Sequence, residues 1–326
     1  ILPTLSPSDR MPALEALRHT LATVGELRSI VRTMKALAAV SIHQYERAVT
    51  ALTDYDRAVR RGLAVVLGEL GAEAGARGVG LMDPLDGSPL GGKQVTGAIV
   101  FGSDHGLCGR FNEALAAHVG AMRRESSAAC RVMAVGVRQA AALEEQGLNP
   151  EQRFYTPAAA SAIHQTVRRI LPLLEQWRTE GVTQVLLFHN RHRGSESHEP
   201  TSTRLLPLDP DTLRREPSAP SRSLPGYAVG RAELLAALLR EWLFVELFRA
   251  CAESLASEHA SRLLAMQAAE RNIADRLAEL NTTYRQQRQE AITAELLDVV
   301  AGFEVLVTAG DRREKSRRDD VEESEG

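Results

Sequence analysis

The stretch that determines the fold of this chain is MQAAERNIADRLAELNTTYRQQRQEA, residues 266–291. Apolar or small residues recur in it at alternating steps of three and four, which is the spacing of a heptad seam on an α-helix. The seam positions are Met266, Ala269, Ile273, Leu277, Leu280, Tyr284, Gln287 and Ala291. Because a heptad seam is buried only against another helix, the stretch predicts a coiled coil.

The helix that contains this seam is predicted to be very long. Residues 228–308 contain no proline, and their one late glycine is Gly302. A helix of this length would span on the order of 120 Å, which is more than a globular domain of this size needs. We therefore expect this helix to reach into another protein.

A second heptad seam lies near the start of the chain, where residues 13–70 also lack a proline and are predicted to be one helix. Its seam positions are Val31, Met34, Ala38, Ser41, Tyr45, Ala48, Leu52, Tyr55 and Val59. Leu27 follows Val24 by three residues, a step that predicts local overwinding. The economical arrangement is an antiparallel coiled coil of the two helices, with the intervening chain inserted between them.

Residues 95–208 are predicted to form that inserted domain. The short apolar runs TGAIVFG, RVMAVGV and TQVLLFHN alternate with helical stretches at 112–126, 138–146 and 161–180. Strands that are apolar throughout and alternate with helices indicate a mostly parallel sheet covered on both faces. The fold class is therefore α+β, a long antiparallel two-helix coiled coil with a small Rossmann-like α/β domain.

Three segments are predicted to connect or follow these parts. Residues 71–94 are rich in glycine and proline and are expected to be a flexible linker. Residues 209–227 are rich in proline and serine and are expected to be a loop, and the charged residues 309–326 are expected to be a disordered tail.

Composition excludes several classes of function. The net charge of −3 provides no general attraction for nucleic acid. Cys108, Cys130 and Cys251 are far apart in sequence, which favours a reducing compartment over a disulfide framework. The start of the chain, ILPTLSPSDRMP, does not have the pattern of a signal peptide. The most apolar segment, residues 234–248, carries three charged side chains and is not expected to cross a membrane.

The loop FGSDHGLCGRFN, residues 101–112, follows a predicted strand and precedes a predicted helix, as phosphate-binding loops do. The spacing of Gly102, Gly106 and Gly109 matches neither the dinucleotide fingerprint nor the P-loop, so a tight turn without a cofactor is predicted. The cluster HNRHRGSESH, with His189, His192 and His198, is interpreted as a strand end and a solvated loop rather than a metal site. No GxSxG or HExxH motif suggests a catalytic residue.

Three sequence blocks resemble the gamma subunit of F-type ATP synthases. SDHGLCGRFN, residues 103–112, is similar to the SDRGLCGGLN loop of that family. TMKALAAV, residues 33–40, resembles its MKMVA-type segment, and residues 265–302 resemble its long C-terminal block with the RQAAIT core at 288–293. The segment RLLPL, residues 204–208, is a minor further match. The blocks lie in the family's order and cover nearly the whole chain.

The resemblance implies a non-catalytic rotor subunit without a cofactor or a metal. In this family the coiled coil stands inside a hexamer of alpha and beta subunits, and the inserted domain lies against the epsilon subunit and the c-ring. The matching beta-subunit contact residues would be Arg288, Gln289, Thr293 and Glu295 on the C-terminal helix, with Met34 and Lys35 on the N-terminal helix. The resemblance also implies a peripheral position on the cytoplasmic face of the bacterial inner membrane.

Departures from the family pattern favour a divergent branch, such as an alternative bacterial ATPase. Ser41 stands where a lysine is usual, and the glycine loop has His105 for arginine and Arg110 for glycine. The alternative hypothesis, from another class of function, is a coiled-coil scaffold whose α/β domain binds a small ligand. The glycine loop and the histidine cluster motivate that alternative.

Overall fold

The computed structural model describes residues 7–77, 95–126, 128–193, 196–208 and 226–324. Two long helices account for most of them: α1 is Pro7–Arg77 and α5 is Arg231–Ser324. The chain divides into two compact units. One unit is Met34–Gln267, and the other is Ile1–Thr33 together with Ala268–Gly326. Each long helix therefore contributes residues to both units.

The unit Met34–Gln267 contains a five-stranded sheet with the strand order β3-β2-β1-β4-β5. The strands are β1 Val95–Phe101, β2 Ala129–Val135, β3 Gln152–Phe154, β4 Gln184–Arg193 and β5 Glu196–Leu206. Strands β1 to β4 are parallel, and β5 pairs antiparallel with β4. The mostly parallel sheet agrees with the sequence prediction, whereas β3 and β5 were not predicted.

Three helices pack on the sheet: α2 is Phe111–Glu125, α3 is Val137–Glu145 and α4 is Ile163–Thr179. The central strand β1 faces two separate cores because successive side chains point to opposite faces. Ala98 and Val100 pack with residues of α2 and α3, whereas Ile99 and Phe101 pack with residues of α4. Both faces of the sheet are therefore buried, which explains why its central strands are apolar throughout.

Within the same unit, α1 and α5 pack against each other in antiparallel directions. The Tyr45 ring stacks on the His259 ring at a centroid distance of 5.6 Å, and Arg60 forms an ion pair with Glu246. Residue numbers thus fall along α5 as they rise along α1. Both helices also join the core that contains α4, through residues such as Leu63 on α1. The predicted fold class is confirmed.

The seam of α1 differs from the prediction at two positions. Tyr55 is 44% exposed and Asp56 is only 8% exposed, so Asp56 occupies the seam and the Tyr55 hydroxyl donates to Glu241 at the edge. Leu27 is 48% exposed, whereas Arg28 is half-buried. The steps of three and four therefore continue without the predicted overwinding. An arginine can occupy a seam because its aliphatic stem packs as an apolar group.

The other unit contains most of the α5 seam, from Ala269 to Ala291. These predicted positions are half-buried or buried, and Leu280 is the most deeply buried of them at 6% exposure. Met266, the first predicted position, is 3% exposed and belongs to the unit Met34–Gln267. Arg32 Nε of α1 donates to Glu270 Oε1 of α5 at 2.9 Å. The heptad interpretation of residues 269–291 is therefore correct.

The ends of the long helices differ from the predicted boundaries. Helix α1 continues to Arg77, into the predicted linker, and residues 78–94 lie outside the described residues, as do residues 209–225 of the predicted loop. Helix α5 begins at Arg231 and continues to Ser324, through most of the segment predicted to be a disordered tail. Between Gly310 and Ser324 the sequence has neither proline nor glycine and is rich in arginine and glutamate, which are good helix formers.

Two glycines with positive φ differ in how closely other residues pack around them. Gly136 has a φ of 112°, and a Cβ there would lie 2.7 Å from the backbone nitrogen of Ser103, whereas Gly181 has a φ of 90° with no atom within 4 Å. We expect Gly136→Ala to lower the free energy of unfolding by about 2 kcal/mol more than Gly181→Ala, because only the first adds a backbone clash to the strain. Urea unfolding followed by circular dichroism measures the difference. Equal losses would show that the turn before α3 moves away from Ser103 without cost.

Candidate functional site

The loop between β1 and α2 is a tight turn, as the sequence predicts. Gly109 has a φ of 64°, a conformation that glycine adopts without strain. A Cβ on Gly102 would lie 2.4 Å from side-chain atoms of Gln139, so this position requires a glycine for close packing. Leu107 also has a φ of 64°, which is uncommon for a residue with a side chain.

Side-chain hydrogen bonds within this loop hold its shape. Ser103 N donates to Asn112 Oδ1 at 3.0 Å, and Asn112 Nδ2 donates to Ser103 Oγ at 2.8 Å. Cys108 lies beside them and is 2% exposed. Burial raises the pKa of the Cys108 thiol, so the thiol stays protonated and unreactive at neutral pH.

Asp104 joins this loop to the loops that follow β2 and β3. Its Oδ1 accepts a hydrogen bond from Val137 N at 2.8 Å, and its Oδ2 accepts bonds from Thr156 N and Oγ1, both at 2.8 Å. The three loops therefore form one surface at the carboxyl ends of the parallel strands. This surface exposes three large apolar side chains, and we call it the edge patch: Leu107, Val137 and Tyr155.

Helix α5 covers the crevice between the carboxyl ends of β1 and β4. Ser254 Oγ donates to the carbonyl oxygen of Phe101 at 2.8 Å, and Arg262 Nη2 donates to that of Gly106 at 3.4 Å. In doubly wound sheets the ligand binds in the crevice where the strand order reverses, which here lies between β1 and β4. Side chains of α5 occupy that place, so the glycine loop packs against a helix of its own chain.

The histidine cluster also contacts α5. His189 Nε2 lies 3.0 Å from Glu253 Oε2, and the same carboxylate accepts a bond from Arg191 Nε at 3.0 Å. His198 Nδ1 lies 2.9 Å from Ser261 Oγ. These contacts give the predicted strand-end histidines a role in docking α5.

No group of three or more His, Cys, Asp or Glu side chains could hold a metal ion in the part of the chain that the structure describes. Within the same residues, no helix has an apolar stretch long enough to cross a bilayer.

The predicted contact residues on α5 are all exposed, but they do not form one stripe. Successive residues of an α-helix are rotated by about 100°. Arg288 and Glu295, seven residues apart, therefore share one face, while Gln289 and Thr293 share another. The Thr293 hydroxyl donates to the Gln289 carbonyl oxygen at 2.9 Å, which fixes its side chain along the helix.

The two predicted contact residues on α1, Met34 and Lys35, are half-buried. They belong to the unit Met34–Gln267, whereas Arg288 and the other predicted residues of α5 belong to the second unit. The structure thus does not group the six residues into one site.

An exposed apolar surface on α5 was missed by the sequence analysis. Six large apolar residues that follow the last seam position, Ala291, are at least 42% exposed: Ile292, Leu296, Leu297, Val299, Val300 and Phe303. Two apolar residues in succession, such as Val299 and Val300, cannot both face one partner helix. This pattern in the sequence could have predicted the exposed apolar surface. Contiguous exposed apolar surface of this kind is typical of sites that contact another protein or a membrane.

The fold and these surfaces define a protein of two paired long helices and an α/β domain, with polar and apolar side chains exposed along α5. A family model described as ATP synthase matches residues 13–306. The chain belongs to this ATP synthase family.

Curated relatives and solved structures agree with the family match. The ATP synthase gamma chain of Geotalea uraniireducens is 29% identical over 305 residues, covering 91% of this chain and 99% of that protein. The ATP synthase gamma chain of Rhizobium rhizogenes is 27% identical, with 91% and 100% covered. A chain in the OSCP/F1/c-ring structure of Euglena gracilis mitochondrial ATP synthase aligns with a TM-score of 0.60 and 17% identity, covering 91% of this chain and 95% of that chain. The resemblance to gamma subunits is therefore confirmed.

The ring of His259, which stacks on Tyr45, lies in an environment that disfavours its protonated form. Burial, and to a lesser extent the nearby charge of Arg262, lower the pKa of His259 to about 4. His259 is therefore neutral near pH 7. In the unfolded chain a histidine has a pKa near its usual value of about 6.5.

This difference makes the contact sensitive to acid. Between pH 6.5 and 4 the unfolded chain binds the proton that folded His259 excludes, so stability falls as pH falls. From pH 7 to pH 5 we expect His259 to account for a loss of roughly 2 kcal/mol in the free energy of unfolding. Urea unfolding at both pH values should show that loss in the parent and not in His259→Phe, which keeps the ring stack. The exposed His43→Phe is the control, and an equal loss in parent and His259→Phe would contradict the assignment.

Proposed function

We propose that this chain is the central-stalk gamma subunit of a rotary F-type ATP synthase or ATPase. In that role it turns inside a hexamer of alpha and beta subunits and couples ion flow through a membrane sector to ATP synthesis or hydrolysis. One observation carries the proposal: α5 presents exposed contact residues beyond its buried seam, on a fold whose family match spans residues 13–306. The chain itself performs no bond chemistry.

The physical requirement for this function is a difference in contact energy. A shaft changes the state of a catalytic subunit only if it contacts the open and closed states with different free energies. The exposed surface of α5 has unlike faces, with Arg288 and Glu295 on one and Gln289 and Thr293 on another. A shaft with unlike faces contacts each subunit around it differently at any one moment, which is what sequential coupling needs.

We assign the beta-subunit contacts to Arg288, Gln289, Thr293 and Glu295 on α5, with Met34 and Lys35 as contacts from α1. Arg288 and Glu295 carry opposite charges on one face, so they can pair with charges of either sign on a partner loop. The exposed apolar residues from Ile292 to Phe303 add a surface that is buried on assembly.

The α/β part of the chain is assigned to the foot of the stalk. The epsilon subunit and the c-ring are its partners there, and the edge patch is an apolar surface suited to such contacts. The chain would then be attached to the membrane only through the complex, on the cytoplasmic face of the bacterial inner membrane. Bacterial gamma chains among the relatives support that location.

Co-purification tests the assignment. The chain is expressed with alpha and beta subunits from the same organism, and the complex is isolated through a tag on beta. We expect about one copy of the chain per hexamer, because a single shaft breaks the symmetry of the ring. If the chain does not co-purify, the rotor assignment is wrong and the scaffold with a ligand-binding α/β domain becomes the better hypothesis.

Substitutions on α5 test the contact residues. In the assembled complex Arg288→Ala and Thr293→Ala should each reduce ion pumping per ATP hydrolysed by about fivefold or more, because each removes part of the differential contact energy. Fluorescence quenching in inverted vesicles measures pumping, and phosphate release measures hydrolysis.

The matched control is Arg271→Ala, an exposed arginine of the same helix outside the assigned contacts. It should leave the ratio of pumping to hydrolysis unchanged. A ratio that is the same in all three variants would exclude Arg288 and Thr293 as coupling contacts.

A further inference from the structure

Four charged side chains are buried together where α1 packs against α5. Asp56 and Arg60 lie on α1, and Glu246 and Arg249 lie on α5. Their side chains are only 11% to 26% exposed. All four belong to the unit Met34–Gln267.

The four groups form a closed ring of alternating charge. Arg60 Nε donates to Asp56 Oδ1 at 2.8 Å, and Arg249 Nη1 donates to Glu246 Oε1 at 3.4 Å. Two further bonds cross between the helices: Arg60 Nη2 donates to Glu246, and Arg249 Nη2 donates to Asp56. Each carboxylate therefore accepts hydrogen bonds from both arginines.

Stability alone does not account for this ring. The desolvation of buried charges offsets most of what their pairing contributes, and an apolar cluster of similar volume is often as stable. The ring lies beside apolar core residues such as Val59, Leu63 and Leu247, so an apolar alternative would have packed readily. The best-attested benefit of buried polar groups between helices is the selection of one register.

The apolar seams by themselves permit a shift of register. A heptad seam has apolar residues at steps of three and four, so a slide by one helical turn of about 5.4 Å again brings apolar positions opposite one another. Small seam residues such as Ala38 impose little steric opposition to such a slide. The registers therefore differ mainly in which charged side chains lie opposite each other.

Either slide by one turn brings like charges together. In the observed register Arg60 faces Glu246 and Asp56 faces Arg249. A slide in one direction puts Arg60 opposite Arg249 and Asp56 opposite Glu253. A slide in the other direction puts Asp56 opposite Glu246, with Trp242 opposite Arg60. Like charges in contact cost several kcal/mol, so both alternatives are disfavoured.

We propose that Asp56, Arg60, Glu246 and Arg249 fix the register in which α1 pairs with α5. The ring acts as a positioning device: it selects one axial alignment among those that the apolar seams allow. This inference does not depend on the rotor assignment. If the chain is a rotor shaft, the same ring keeps the two helices from sliding along each other under torque.

An exchange of charges within α1 tests the proposal without changing composition or net charge. The variant Asp56→Arg with Arg60→Asp places like charges opposite each other in the observed register. In a register shifted by one turn, the new carboxylate at position 60 faces Arg249 and the new guanidinium at position 56 faces Glu253. The exchange should therefore favour the shifted register.

Pairs of introduced cysteines report the register of the full chain. Gly62→Cys with Leu238→Cys reports the observed register, because a Cβ at Gly62 would lie 3.8 Å from Leu238 Cγ. Gly62→Cys with Glu241→Cys reports the slide in one direction, and Gly62→Cys with Leu234→Cys reports the slide in the other. Peptide mapping by mass spectrometry identifies each disulfide against the background of the native cysteines.

With the four charged residues unchanged, we expect a disulfide only in the variant Gly62→Cys with Leu238→Cys, and none in the two variants that report a slide. The two-residue exchange should lower the yield of that disulfide by about tenfold or more and raise the yield of a shifted pair. Adding Glu246→Arg and Arg249→Glu re-creates opposite charges in the observed register and should restore the parental yield. Asp54→Arg with Arg57→Asp is the control, because that pair is exposed on α1 and should leave the yield unchanged.

Parental disulfide yield in the two-residue exchange would overturn the proposal, since apolar packing would then set the register. If circular dichroism shows that the variant with the two-residue exchange is unfolded, the variant with the four-residue exchange tests the proposal instead. Recovery of folding and of the disulfide between the cysteines introduced at positions 62 and 238 supports the ring, and failure to recover overturns it. The test uses the isolated chain, so its outcome is independent of co-purification with alpha and beta.

Discussion

The structure of the unit Met34–Gln267 depends on the burial of α5 on two sides at once. One side of the helix packs on the carboxyl ends of β1 and β4, where Ser254 bonds the Phe101 carbonyl, and another packs on α1, where Tyr45 stacks on His259. Leu247 and Leu255 join the common core, and burial of each such side chain stabilises the fold by about 1.5–3 kcal/mol. A helix held on two sides by both apolar and polar contacts has little freedom to move relative to the sheet.

This packing determines what the doubly wound sheet leaves open at its carboxyl edge. The crevice between β1 and β4 is filled by α5, so the turn that carries Gly102 and Gly109 serves close packing. Asp104 joins three loops at the carboxyl edge, and the apolar side chains of Leu107, Val137 and Tyr155 are exposed there. The sheet thus supports an exposed apolar patch at that edge.

The buried charges serve a different purpose from the apolar core. Apolar burial favours pairing of α1 with α5 in any register that covers the seams, because the hydrophobic effect is not directional. Charges and hydrogen bonds are directional, so the ring around Asp56 distinguishes one alignment from its neighbours. In a long pair of helices, small side chains allow the two helices to pack closely, and polar groups fix their axial alignment. Both are needed in a shaft that passes a rotation along its length.

The sequence by itself determined both long helices, their apolar seams, the alternating α/β segment and the resemblance to a family. Each of these depends on periodicity or on local motifs, which are complete within a short window of residues. The short strand β3 and the polar strand β5 have no such local signal, since neighbouring strands of the sheet decide that they form. Likewise, the sequence identified candidate contact residues, but not that those on α5 divide between two faces, nor that Met34 and Lys35 belong to the other unit.

Only the tertiary structure decided that Asp56 rather than Tyr55 lies in the seam, and that α5 fills the crevice of the sheet. The partner of Asp56 on α5 is 193 residues away in sequence, and Ser254 is 153 residues from Phe101. Contacts between residues so far apart depend on how the helices and the sheet pack in three dimensions. No local sequence pattern predicts these contacts, because the hydrophobic periodicity of a segment is the same whichever segment it packs against.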